Sequence, residues 1–193
     1  MKRILVVLVL LASIVGCEVQ EILSPPTVER PTVNLPLSLR QENWTSSRGF
    51  GSCTWATMVS LLRWQGQPQA AEWVRKNCAG GGTSSNMAAA FDRAGLRYAY
   101  TTDPDVSVLE WACQTRRGCG ISVKGMVCPK CGKRHGGYHF VALVYLDDKW
   151  AAILDNNAVE QYVWIPREEL IATWKAGGGW TFTPVYDPAA PLP

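Results

Sequence analysis

The chain has 193 residues, of which 47% are hydrophobic and 18% charged, with 9 Trp and a net charge of +3. This composition excludes a disordered chain. No run of Lys and Arg is dense enough for a nucleic-acid footprint, so nucleic acid is not an expected partner.

The chain opens on Met1-Lys2-Arg3, then an apolar stretch from Ile4 to Val15 broken only by Ser13, then Gly16-Cys17. The stretch is too short to span a bilayer and has the charged start and apolar middle of a secretory signal. Its end, Ile14-Val15-Gly16-Cys17, resembles the bacterial lipoprotein signal, in which a small residue precedes a Cys that is lipidated and becomes the mature N-terminus. That resemblance implies residues 1–17 as signal, Cys17 as lipidation site, and an exported lipoprotein of the bacterial cell envelope anchored to the membrane. Export permits disulfides. Residues 18–39 carry Pro25, Pro26, Pro31 and Pro36 with no periodicity and read as an extended tether. A second Pro cluster sets residues 187–193 aside as a tail, leaving 40–186 as one domain. Its roughly 150 residues suffice for one sizeable core, and a monomer is expected.

Within that domain, Ala56, Val59, Leu61, Leu62 and Trp64 recur at helical spacing after Gly49, Gly51 and Ser52, which form a loop and a capping signal. Cys53 therefore opens a helix that runs to about Gln65. Further helices are predicted over 68–77, over 84–94 with Gly95 as its stop, and over 106–114. After Gly118 the segments 121–123, 138–146, 150–154, 161–165 and 180–185 are short, β-rich and bounded by turn residues. Asp147-Asp148 turns the hairpin between the second and third of these. Pro166 can open a short helix reaching Trp174. Helices first and strands afterwards predict an α+β domain.

A Cys is a useful nucleophile only as a thiolate, and two devices lower its pKa: a helix N-terminus and a nearby imidazole. Cys53 has the first by position, and the helix-start N–H groups can donate to a developing oxyanion. Taken alone, Cys53 reads more readily as a buried helical Cys than as a nucleophile. Of the two His, His139 starts a predicted strand directly after Gly136-Gly137. Across the Asp147-Asp148 hairpin the next strand ends at Leu154-Asp155-Asn156-Asn157, which returns Asp155 or Asn156 beside the ring of His139. Such a third group fixes the tautomer and orientation of a base. Asp147 and Asp148 read as turn residues.

The run Gly51-Ser52-Cys53-Thr54-Trp55-Ala56 resembles the nucleophile segment of papain-like cysteine peptidases, where a Gly-Ser-Cys run opens the central helix. The segment from Gly137 to Leu143, taken with Asp155-Asn156, resembles the His and Asn/Asp strands of the same clan, including its bacteriocin-processing branch, which uses Asp. The resemblance implies a papain-like fold: a helical N-terminal half, with the nucleophile on a central helix packed against an antiparallel sheet. It also implies a Cys53 acyl-enzyme mechanism with His139 as base, Asp155 or Asn156 as third member, and a peptide or protein substrate. The clan usually has a Gln six positions before the nucleophile as oxyanion donor, and Ser47 stands there instead. Gln41, or Asn43, serves only if the intervening residues loop out.

Cys128-Pro129-Lys130-Cys131-Gly132 has the form of a metal knuckle. His135 can add a third ligand and Cys113 or Cys119 a fourth, giving a structural zinc site. A disulfide within the knuckle, or to Cys113 or Cys119, is the alternative. Catalysis itself requires no cofactor. Two further functional readings stay open: an inactive papain-like protein that binds a partner in the cleft, and a transglutaminase or cell-wall amidase using the same three residues. Trp55, Trp111, Trp150 and Trp164 can line a cleft, although aromatics at such spacing are more often core.

Overall fold

A computed structural model describes residues 30–45, 51–134 and 136–190. The expected signal segment, the tether up to residue 29, Ser47, His135 and residues 191–193 lie outside the described residues. Helices α1 (Cys53–Trp64), α2 (Pro68–Asn77) and α3 (Ser84–Arg93) come first, followed by strand β1 (Tyr98–Thr101) and helix α4 (Val106–Gln114). Strands β2 (Cys119–Lys124), β3 (Tyr138–Leu146), β4 (Trp150–Leu154) and β5 (Tyr162–Pro166) precede helix α5 (Arg167–Ala176) and strand β6 (Thr181–Pro184). The six strands form one antiparallel sheet in the order β1-β6-β2-β3-β4-β5.

Period-two alternation assigns the two faces of the sheet. On β3, Phe140, Ala142 and Val144 face a core with Met58, Leu61 and Leu62 of α1 and Phe91 of α3. Val141 and Leu143 face a second core with Leu109 of α4 and Leu170 and Trp174 of α5. Because helices cover both faces, β3 reads as an unbroken apolar run. A register shift between Leu143 and Tyr145 then returns Leu146 to the α4/α5 side.

Local chemistry explains the ends of these elements. Thr83 Oγ1 accepts the Asn86 N–H while Asn86 Oδ1 accepts the Thr83 N–H, a reciprocal cap that starts α3. Asp147 Oδ1 accepts the N–H groups of Lys149 and Trp150 at 2.7 and 2.6 Å, closing the β3–β4 turn as its residue type predicts.

Several expectations need correction. Pro166 does not open α5 but caps it from the end of β5, and the helix runs on to Ala176. Strand β1, too short for its alternation to register in the sequence, adds an edge beside β6. The domain is wider than 40–186. Leu35, inside the expected tether, is 1% exposed in the first core, and its carbonyl accepts from Arg40 Nη2 and the Tyr162 hydroxyl, both at 2.9 Å. In the expected tail, Ala189 exchanges backbone and side-chain hydrogen bonds with Arg116. A Pro-rich segment has few N–H groups to satisfy, so it can pack without joining a helix or sheet when side chains of the fold cap its carbonyls.

Candidate active site

Cys53 is the first residue of α1, and the first intrahelical bond runs from the Ala56 N–H to the Ser52 carbonyl. The N–H groups of Cys53, Thr54 and Trp55 therefore have no carbonyl within the helix. Ser52 does not supply the expected side-chain cap; its hydroxyl accepts the Gly80 N–H at 3.0 Å instead. The next hydroxyl along the chain, Thr54 Oγ1, accepts the Gly82 N–H at 3.1 Å. The glycine loop is thus held against the helix start on both sides of the thiol, and a Cβ at Gly82 would stand 2.6 Å from Thr54 Cγ2.

His139 lies near the start of β3 and Asp155 directly after β4, and the β3–β4 pairing folds them together as the hairpin argument predicts. His139 Nε2 is 2.8 Å from Asp155 Oδ1. A carboxylate only accepts, so Nε2 carries the hydrogen and Nδ1 is left for the Cys53 thiol, which lines the same cleft. Asn157 N–H donates to the same Asp155 oxygen at 2.8 Å. Asn157 Nδ2, 3.3 Å from His139 Nε2, faces a nitrogen whose hydrogen is already committed, so it packs against the ring without bonding it.

The electrostatics follow from this chain of contacts. Burial alone would push the Cys53 thiol up, but it is outweighed by the hydrogen bond and charge of His139, with help from the Phe140 backbone and the Thr54 hydroxyl, and the thiol lies below its ordinary value. Burial likewise opposes charge on His139, yet Asp155 and Cys53 together raise its pKa to about 9. Asp155 is held below the usual carboxylate range despite its burial, chiefly by His139 and the Asn157 N–H. All three shifts favour the charged forms of the thiol, the imidazole and the carboxyl.

Asn156 occupies a different role from the one its neighbour takes. At 2% exposure, its Nδ2 lies 3.0 Å from the Cys53 carbonyl, 3.0 Å from Thr57 Oγ1 and 2.8 Å from the Phe140 carbonyl. It joins the helix that carries the thiol to the strand that carries the imidazole, and does not touch the ring. Gln41 is not brought to the sulfur: its N–H donates to Ser60 Oγ, two turns down α1, and its side chain bonds the Glu42 carbonyl. Asn43 is committed as well, accepting the Ser52 N–H at 2.7 Å and donating to Asn157 Oδ1 at 3.0 Å. Among the described residues, the backbone N–H groups at the start of α1 are placed by position to serve as oxyanion donors.

A cleft of about 420 Å³ opens over Cys53 and His139, with Gly81, Gly82, Gly177, Gly178, Tyr138 and Trp180 in its lining. The sequence reading missed Trp180, which packs on Phe140 with ring centroids 4.5 Å apart. Its signal was the Gly177-Gly178-Gly179 run just before it: a Cβ at Gly177 would meet the Ser122 carbonyl at 2.3 Å. Of the aromatic candidates, Trp55 is core, while Trp111 lines a separate groove with Tyr100.

Cys113 and Cys119 join the second core near the start of β2, at the opposite end of that strand from the knuckle, so neither pairs with Cys128 or Cys131 nor shares a metal with them. Among the described residues no group of three His, Cys, Asp or Glu is placed to hold a metal ion.

With this geometry in view, the solved structures decide the fold. A C39-like peptidase from Bacillus anthracis aligns over 83% of this chain and 100% of its own, with a TM-score of 0.56 at 14% identity. This chain has the papain-like α+β fold. A double-glycine-motif protease from an AMS/PCAT transporter, solved with a leader peptide, aligns more loosely, at a TM-score of 0.44 and 22% identity over 69% of this chain and 84% of its own. No protein-family profile and no curated protein matches the sequence.

Proposed function

We propose that this protein is a cysteine peptidase that cleaves peptide or amide bonds through a Cys53 acyl-enzyme, exported and held at the membrane by a lipid on Cys17. The observation that carries the reading is the 2.8 Å bond from His139 Nε2 to Asp155 Oδ1, with Cys53 and His139 lining one cleft. The thiolate attacks the carbonyl carbon, and the oxyanion develops toward the N–H groups at the α1 start. His139 gives its proton to the departing amine as the C–N bond breaks, leaving a thioester. Water then adds with His139 taking its proton, and the thioester opens to a carboxylic acid and the thiol. Asp155 holds the ring and offsets its charge throughout.

Because the three act as a unit, Cys53→Ala and His139→Ala should each abolish nearly all turnover of a peptide-library substrate, with the double variant little worse. Turnover surviving in Cys53→Ala would end the proposal. Product analysis on proteins and on peptidoglycan assigns the amide class. Cys17→Ser should abolish metabolic palmitate labelling while the domain still folds; unchanged labelling removes the anchor from the reading.

A further inference from the structure

The groove that Trp111 lines takes no part in the reaction above and lies on the other face of the sheet from the thiol. Along β1 and β6, Tyr98, Tyr100 and Phe182 stack on one face, where Phe182 joins the core that α1 closes. Alternation turns Thr101, Thr181 and Thr183 to the opposite face, with Thr101 and Thr181 directly across the ladder from each other. These three line a groove of about 340 Å³ together with Ser107, Val108 and Trp111 of α4, a size in the usual range for small-molecule sites. Elsewhere the same face is closed by apolar side chains such as Ile121, Val141 and Leu143. Val has the shape of Thr and would close this end too, so a cluster of hydroxyls needs another reason. Thr181 makes the need specific. It is 1% exposed, and among the described residues its Oγ1 has no hydrogen-bond partner, a costly state for a buried hydroxyl. Trp111, by contrast, is 40% exposed, a large apolar surface left open beside those hydroxyls. Arg117 stands over its ring at 5.7 Å and is itself held by a 3.0 Å bond to the Tyr186 carbonyl, so the indole is braced.

We propose that this groove binds a neutral sugar ring, with Trp111 as its stacking platform and Thr181 as its hydrogen-bond anchor. The lining decides the class of ligand. Thr101, Ser107, Thr181 and Thr183 offer hydroxyls, which both donate and accept, as the hydroxyls of a sugar do. The flat C–H face of a pyranose matches the open indole, an apolar body with a polar edge meeting a surface of the same kind. A wholly apolar ligand would leave Thr181 Oγ1 as unsatisfied as it is now. A carboxylate or phosphate would give up its hydration to side chains that carry no charge.

The test titrates the isotope-labelled full chain with cellobiose and, separately, with diacetylchitobiose, and follows the backbone amide signals by NMR. The expected result is a saturable shift confined to residues 99–101, 107–111 and 181–183 with at least one of the two sugars; which one responds separates a plain glucan from an N-acetylated glycan. Trp111→Ala and Thr181→Val should each weaken that binding about tenfold or more. Thr181→Val keeps the shape of the side chain and should also raise Tm, because it removes a buried hydroxyl that has no partner within the protein. A lower Tm in that variant would show the hydroxyl to be partnered inside the fold and would overturn the proposal. So would the absence of shifts in the groove with both sugars, or an affinity unchanged by Trp111→Ala. Peptide turnover plays no part in these measurements, so the sugar site and the peptidase reading stand or fall separately.

Discussion

At Cys53 the decisive quantity is the balance between burial, which opposes a thiolate, and His139, which favours one, and the second prevails. Replacing His139 with Ala removes the largest influence that opposes burial, so iodoacetamide should alkylate Cys53 more slowly at about pH 6, where less of the thiol is then ionised. An equal rate in wild type and variant would show that the two residues do not form an ion pair. The sign for pH dependence follows from the raised value on His139. The imidazolium that protonates the leaving group persists up to a pKa of about 9, so kcat/KM should hold through neutral pH and fall as pH rises through that value. On the acid side the profile should fall as the thiolate and then Asp155 take up protons, both below their ordinary values. A profile already falling at the ordinary His value of 6.5 would contradict the raised pKa.

Between elements, the site depends on α1 and β3 staying in register, and Asn156 is the side chain that joins them. Asn156→Ala removes the two amide hydrogens shared among the Cys53 carbonyl, the Thr57 hydroxyl and the Phe140 carbonyl in the interior. It should cost about 2–3 kcal/mol in urea unfolding and slow Cys53 alkylation, although Asn156 never touches the sulfur. A stability loss with unchanged alkylation would make its role purely structural. The glycine loop is the second such junction. A Cβ at Gly82 would collide with Thr54 at a branched carbon of the helix, which has little room to move. Gly82→Ala should therefore displace the loop, lose the Gly82 N–H bond to Thr54, and cut kcat/KM by roughly tenfold for about 1–3 kcal/mol of strain. Wild-type kinetics in this variant would mean that the loop is not a wall of the substrate cleft.

Across the molecule, two cores on opposite faces of one sheet keep β3 rigid between helices, which is what a His near its start requires. The N-terminal segment belongs to the first of these cores. Leu35→Ala should destabilise the protein by about 2–4 kcal/mol, as for other buried Leu truncations. A chain begun at residue 40 should lose at least as much by denaturant unfolding; an unchanged midpoint would return 31–39 to the status of a tether. Among the described residues no helix is long and apolar enough to cross a membrane.

Apart from β1, the elements and the candidate thiol, imidazole and carboxylate were legible in the chain because they rest on local signals: helical and strand periodicity, a glycine loop before Cys53, and a hairpin whose length returns Asp155 to His139. The choice between Asp155 and Asn156 was not, because adjacent residues after a strand point to opposite sides and only the packed sheet shows which one meets the ring. Gln41 was misplaced for a related reason: distance along the chain says nothing of where a loop docks, and its N–H docks two turns along α1 from the thiol. Trp180, the glycines lining the cleft and the burial of Leu35 are likewise products of contact between segments far apart in sequence. Periodicity and residue chemistry act within about one turn or one hairpin, so the sequence by itself determined most of the elements and the candidate thiol, imidazole and carboxylate. The oxyanion side, the cleft and the true edges of the domain were decided only where those elements meet.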